Sequence, residues 1–230
     1  MKKSNESVIR SESLENYLKV IYKLESEHGE ASTSEIAAEL DISSASVTGM
    51  LKRLSTMKLV NYSSYKGVTL TDEGRKIALE VLRHHRLIET YLRESLGFKL
   101  AQLHDEACTL EHYVSDQFID KLTEILGDPQ YDPYGHPIPT KEGELPHRDE
   151  TSLIDLEPII KGQISSIDSR DNELVGYLDQ LGLIPGATIT LLEKAPYYGP
   201  IKLLLNDVEI SIGYEVAKIL KLDNSTLKLS

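Results

Sequence analysis

The chain has 230 residues, 40% of them hydrophobic and 27% charged. This is the make-up of a globular protein with room for one large domain or two to three small ones, and it excludes a disordered, collagen-like or disulfide-stapled chain. The formal net charge of −12 argues against nucleic acid as a partner of the molecule taken whole.

One cysteine, Cys108, excludes an intrachain disulfide and points to a cytoplasmic setting. No apolar run is long enough to cross a bilayer, and the polar start at residues 1–6 leads into no signal-peptide core, so no membrane is expected as a partner.

Leu14, Tyr17, Leu18, Ile21, Tyr22 and Leu24 recur at three- and four-residue spacing and predict a helix over 13–28, stopped by Gly29. A short helix is expected at 33–40, with Ser32 or Thr33 as its cap and Ile36, Ala37 and Leu40 facing in. A turn at 41–43 leads into a third helix over 44–57, with Val47, Met50, Leu51 and Leu54 apolar. Strands at 59–62 and 68–70 flank a turn containing Gly67, which reads as a hairpin. Thr71, Asp72 and Glu73 suit the positive end of a helix that runs to Leu96 and stops at Gly97. Another helix is expected from about Leu100 to Leu126, ended by Gly127 and Pro129. The stretch 128–150 holds five prolines and two glycines and reads as a linker or an ordered loop. Beyond it, strands at 162–167, 188–192, 201–205 and 208–212, interrupted by a short helix at 172–181, suggest a small barrel.

Helix, turn, helix, hairpin is the order of a winged helix-turn-helix. The second of those helices would then enter the major groove by its first turn. Ser43, Ser44, Ala45, Ser46 and Thr48 form that turn. Hydroxyls can bond to phosphates or base edges, and an alanine methyl can contact thymine. Lys52 and Arg53 suit phosphate contact, and Lys66 at the hairpin tip suits the backbone beside the groove. Segment 43–75 sets Lys52, Arg53, Lys58, Lys66 and Arg75 against Asp72 and Glu73. A local basic surface can meet phosphate within a Debye length of roughly 8 Å. A hydroxyl-rich turn is also simply what starts a helix, so a helical bundle with no DNA role stays open on these residues alone.

His104, Cys108, Glu111 and His112 stand at offsets that, at about 100° per residue, cover an arc of about 100° on the expected helix 100–126. Core-facing stripes are normally apolar. His85 and Glu89 share a face of the preceding helix at i and i+4. Thiolate, carboxylate and imidazole together suit Fe(II), Co(II), Ni(II) or Zn(II), whereas an all-carboxylate set would lean to Mn(II). The plainer alternative is an inert buried thiol among solvated charges. His28, His84, His136 and His147 lack such company and read as surface or packing residues.

These residues also carry a resemblance. Residues 104–112, HDEACTLEH, resemble the H-D-E-A-C-x-x-E-H segment of the iron-dependent repressors related to the diphtheria toxin repressor, whose cousins include manganese-dependent repressors. His85-Arg86-Leu87-Ile88-Glu89 is similar to the family's H-R-L-x-E segment, and Gly135-His136-Pro137-Ile138-Pro139 to its G-x-P-I-P loop. Glu15-Asn16-Tyr17-Leu18 and Ile21-Tyr22 match its first helix, and Leu181–Gly186 lies in a part resembling its SH3-like C-terminal domain.

The resemblance implies a fold that is mainly α with a small all-β domain. It divides into a winged helix-turn-helix (1–75), a helical dimerisation and metal-binding domain (76–146), and a linker with an SH3-like barrel (147–230). It implies a primary metal site of Asn16, Cys108, Glu111 and His112, and an ancillary site of His85, Glu89 and His104 with Asp171 or, failing that, Glu173. It implies a non-enzymatic repressor of metal homeostasis, a homodimer on a palindromic double-stranded DNA operator. Asn16 departs from the pattern, since iron-type members carry methionine there and manganese-type members aspartate, and Lys19 sits where the manganese pattern has a glutamate. Cys108 pulls toward Fe(II), with Mn(II) the alternative and Co(II), Ni(II) or Zn(II) as substitutes in vitro. Two other classes are weighed against this reading: a metal-dependent enzyme, for which no nucleophile or proton shuttle stands out, and a peptide-binding adaptor.

Overall fold

The computed structural model describes residues 11–63, 66–169 and 171–229. Helix α1 (Glu12–His28) starts at Ser11, whose hydroxyl accepts from Leu14 N at 3.4 Å. It ends at Gly29, where φ is 84°, a left-handed turn that glycine adopts without a Cβ penalty. Helix α2 (Thr33–Glu39) opens with a reciprocal cap: Ser32 Oγ accepts from Glu35 N, and Glu35 accepts from Ser32 N. Helix α3 (Ser44–Thr56) is capped by Ser43. Strands β1 (Val60–Ser63) and β2 (Lys66–Leu70) pair antiparallel, and Ala31 bridges to Val68. Helix α4 (Asp72–Glu94) follows, stopping two residues short of the expected end.

The chain divides into two compact units. The first takes residues through His85 together with 111–114 and 139–144, and the second takes 86–110, 115–138 and everything from 145 on. The core of the first unit is built from Leu14, Leu18 and Ile21 of α1, Ile36 of α2, Val47, Leu51 and Leu54 of α3, and Leu59 and Val68 of the hairpin, all fully or nearly fully buried. These are the apolar positions that the sequence periodicity picks out. Their burial fixes the helix-turn-helix and leaves the polar face of α3 outside.

In the second unit the expected single helix over 100–126 is two. Helix α5 (Leu100–Leu110) ends before Glu111, and α6 (Asp116–Leu126) restarts at Ser115, whose hydroxyl accepts from Phe118 N at 3.3 Å. Glu111 and His112 therefore do not share a helical stripe with His104 and Cys108. Segment 111–114 belongs to the first unit. The proline-rich stretch is ordered: Asp132 is buried, accepts from the backbone N–H groups of Tyr134 and His136 at 2.9 Å each, and pairs with Arg86 and with His136.

The C-terminal region corrects the sequence reading most. It comprises β3 (Glu150–Ser152), β4 (Ile160–Ile167), α7 (Asn172–Leu181), β5 (Thr188–Lys194), β6 (Ile201–Leu205), β7 (Val208–Ile212), α8 (Tyr214–Lys218), β8 (Leu220–Asp223) and β9 (Lys228–Leu229). Its seven strands form one sheet in the order β3-β8-β4-β5-β6-β7, with β9 also on β4. Among the described residues the end strands β3 and β7 do not pair with each other, so the sheet is open and is not an SH3-like barrel. Closure needs the two end strands to meet. Strands β4 to β7 form a consecutive meander, but β8, β3 and β9 add to the far side of β4 and extend the sheet away from β7. Two helices also stand within this region, so it is not all-β. Among the described residues no helix is long and apolar enough to cross a membrane.

Candidate metal centre

In the first unit, Glu12, Glu15, Asn16 and Lys19 form one stripe of α1, within an arc of about 100°. The stripe meets residues 111–113 in reverse order. Tyr113 Oη donates to Glu12 Oε2 at 2.9 Å. His112 Nδ1 lies 2.6 Å from Glu15 Oε2, and His112 Nε2 lies 3.0 Å from Asn16 Oδ1. Lys19 Nζ donates to Glu111 Oε1. From α4, His85 Nδ1 lies 2.6 Å from Glu111 Oε2.

The electrostatics follow from this crowding. Burial raises the pKa of the Glu111 carboxyl, but hydrogen bonds from His112 and His85 and the charges of His85 and Lys19 outweigh it and hold that pKa well below the usual carboxylate range. Burial works against the charge of His112 too, yet Glu111 and Glu15 lift the pKa of its imidazole to about 9. Both ring nitrogens face acceptors, so the doubly protonated ring satisfies both.

The donors fit a divalent transition metal. His112 Nε2 is 3.0 Å from Asn16 Oδ1 and 3.1 Å from Glu111 Oε1. Adjacent ligands in an octahedral shell with bonds of about 2.1 Å stand about 3 Å apart, so the His112–Asn16 and His112–Glu111 pairs each keep the spacing of a coordination edge.

The second unit holds another donor group. His104 Nδ1 lies 3.7 Å from buried Glu89 Oε1, and its Nε2 lies 3.6 Å from Cys108 Sγ. His85 stands one turn before Glu89 on α4, as the i, i+4 spacing requires. Asp171 is the cap of α7, accepting from Glu173 N at 2.9 Å and Leu174 N at 3.1 Å, and Glu173 is exposed. The residue between them reaches α5, where Asn172 Nδ2 donates to Asp105 Oδ2 at 3.0 Å.

On α3, Ser43, Ser44, Ala45, Ser46, Lys52 and Arg53 are exposed and Thr48 is half-buried. Part of the hydroxyl pattern is local. Ser43 Oγ accepts from Ser46 N at 3.2 Å, and Thr48 Oγ1 donates to Ser44 O at 2.9 Å. Tyr65 and the side chain of Lys66 lie outside the described residues.

Known proteins carry the same modules. Residues 10–68 match the iron dependent repressor N-terminal DNA binding domain, residues 71–140 the iron dependent repressor metal binding and dimerisation domain, and residues 151–222 the FeoA domain. The iron-dependent repressor IdeR of Mycobacterium tuberculosis (strain ATCC 25618 / H37Rv) is 29% identical over 221 residues, which cover 91% of this chain and 96% of the relative. The crystal structure of ScaR with bound Cd2+ is 32% identical with a TM-score of 0.75, covering 91% of this chain and 98% of that one. A manganese-dependent transcriptional repressor in complex with manganese is 29% identical with a TM-score of 0.82, covering 91% and 99%. The chain belongs to the iron-dependent repressor family. It is a metal-dependent DNA-binding repressor with an N-terminal DNA-binding domain and a dimerisation domain, and this domain composition is that of a transcriptional regulator rather than an enzyme.

For this iron-dependent-repressor chain, the sequence reading reached Asn16, Glu111 and His112, which the structure gathers. It did not single out Glu15 as a partner of His112, or Asn172 as the residue of α7 that touches α5. The signal for Glu15 was present: it is one residue from Asn16 and shares its helical face with Glu12 and Lys19. Nothing comparable marks Asn172.

Proposed function

We propose that this repressor responds to Mn(II) and binds a palindromic operator as a homodimer, with Fe(II) as the second reading. The observation that carries the metal choice is the donor set of the first unit. Glu15, Asn16 and Glu111 offer oxygen, and His112 adds one imidazole. Oxygen-rich sets favour Mn(II), and thiolate-bearing ones favour softer ions. Several similar solved structures bear manganese in their descriptions, among them the regulator SloR and the manganese-activated repressor ScaR. The second reading draws on the Cys108 thiol and on the curated relatives named as iron-dependent.

Asn16, Glu111 and His112, with Glu15 beside them, are the proposed regulatory ligands for Mn(II), and Cys108 joins that set on the Fe(II) reading. His85, Glu89 and His104, with Asp171 or Glu173, are the proposed second set. A bound divalent cation would supply positive charge shared by donors on α1 and on segment 111–114. Asn16 would then anchor the first helix of the DNA-binding domain to that segment. Two-fold symmetry of the protein would match a two-fold operator, with Ser43, Ser44, Ala45, Ser46 and Thr48 at the bases and Lys52, Arg53 and Lys66 on phosphates.

The test is selection of bound duplexes from a random-sequence pool, run with Mn(II), with anaerobic Fe(II), and with chelator. Enrichment of a palindrome with Mn(II) and not with chelator is the expected result. Enrichment with Fe(II) alone would reverse the choice of metal, and no enrichment under any condition would overturn the operator reading.

A further inference from the structure

Glu111 is a carboxylate with no free edge. Its side chain is 0% exposed, and each oxygen is occupied: Oε1 by the Lys19 ammonium and by His112 Nε2 at 3.1 Å, Oε2 by His85 Nδ1 at 2.6 Å. The groups on it come from three places: Lys19 from α1, His85 from α4, and His112 from its own segment, with Glu15 and Asn16 of α1 reaching His112 in turn.

Lys19 is the unusual member. A lysine on a helix at the edge of a core ordinarily extends its ammonium into water and leaves only its stem on the apolar surface. Here the side chain is 12% exposed and the ammonium is turned onto the buried carboxylate. Its neighbours on α1 explain why it stays there. Val20, Tyr17 and Leu18 are core residues that fix the rotation of the helix, so the i, i+3, i+4, i+7 stripe of Glu12, Glu15, Asn16 and Lys19 has to face segment 111–113. An ammonium has three donors and no lone pair. It can neutralise Glu111 but cannot ligate a metal, and it uses the same oxygen that lies 3.1 Å from His112 Nε2 on the coordination edge.

We propose that Lys19 is a tethered internal cation that competes with divalent metal for Glu111 and so sets the affinity of the regulatory centre. The proposal rests on the reading of Glu111 and His112 as metal ligands. Lys19 has to withdraw from Oε1 before that oxygen can serve as a ligand, and the withdrawn ammonium then stands beside another positive charge. Both effects weaken metal binding and raise the metal concentration at which the repressor loads. Glu111 is buried and the Lys19 side chain is only 12% exposed, so the contact is poorly screened and the competition is stronger than a surface lysine could provide. Without metal, the same contact ties α1 to segment 111–114, so Lys19 also supports the fold that the ligands need.

The experiment is calorimetric titration of chelator-stripped, full-length protein with Mn(II), for the parent, Lys19→Met, Lys19→Gln and Lys19→Arg, together with thermal unfolding with and without metal. Lys19→Met and Lys19→Gln should bind Mn(II) more tightly, by roughly tenfold or more. Both should melt lower than the parent without metal and gain more from its addition. Lys19→Arg keeps the cation and should bind no more tightly than the parent. Equal or weaker Mn(II) affinity in the uncharged variants, or tighter binding in Lys19→Arg, would overturn the proposal. Glu111→Gln separates the two levels. Unchanged Mn(II) binding there removes the ligand reading underneath, whereas lost binding there with an unchanged affinity in Lys19→Met removes the role of Lys19 alone.

Discussion

His112 shows how much of this centre is decided by single side chains. Its two nitrogens lie against Glu15 on one side and Asn16 and Glu111 on the other, with the side chain 3% exposed. A neutral ring would leave one acceptor facing a lone pair, so the native state holds the extra proton and the pKa stands at about 9 against an ordinary 6.5. The native state therefore binds more protons than the unfolded chain between these two values, and stability falls as pH rises through that window. The contribution is complete below about 6.5 and gone above about 9. Glu111 works in the opposite sense, since its depressed pKa contributes stability above the ordinary 4.5 that is lost in acid. In chelator, the melting temperature should decline from pH 6.5 to 9 and then level off, and His112→Gln should abolish the decline. A flat profile across that window in the parent would show that the ring is not held as a cation. His112 was legible in the sequence because its type and spacing suit a ligand, and Asn16 only through the family resemblance. Glu15 as a partner of His112 and Lys19 as a partner of Glu111 were not legible, because both roles depend on what faces α1, which the periodicity of α1 does not say.

At the scale of elements, the break between α5 and α6 is what makes the centre. Residues 100–126 contain neither glycine nor proline, the residues that most strongly end helices, so the periodic pattern reads as one helix. The restart is marked more quietly, by Ser115 as cap and Asp116 in the first turn of α6. Glu111 and His112 leave the helix before it resumes, and this lets them meet α1. Ser115→Ala should lower the unfolding free energy by about 1 kcal/mol, measured by urea titration. A loss below a few tenths would mean that the cap does not hold the break. The C-terminal sheet was misjudged for a related reason. The strands of the meander, β4 to β7, are long enough to read, but β3, β8 and β9 have three, four and two residues. Strands that short carry little alternation, and they are the ones that place the sheet edges and leave it open. The winged helix-turn-helix was the most legible part, because caps, core positions and the pairing of the two hairpin strands all agree there.

For the molecule as a whole, the question is how a chain with a net charge of −12 meets DNA. Residues 1–75 carry 10 basic and 11 acidic side chains, so nearly all the excess negative charge lies beyond the DNA-binding domain in sequence. Direct contacts and long-range repulsion then differ in reach. At physiological salt the Debye length is about 8 Å, and distant carboxylates are largely screened from the duplex. Exposed Lys52 and Arg53 on α3 would touch phosphate directly and release counterions, each contact adding about 0.9 to the slope of log affinity against log salt. Replacing both by alanine should therefore make that slope shallower by about 2 per bound subunit, while sequence preference survives because phosphate contacts carry no base information. Near 10 mM salt the Debye length grows to about 30 Å, repulsion from the acidic remainder re-enters, and the plot for the parent should bend below its straight line. Anisotropy of a labelled operator over a salt series reads both effects. An unchanged slope in the double variant would show that α3 meets the phosphates through other groups, and a straight line down to 10 mM would show that the excess acid stays outside the reach of the DNA.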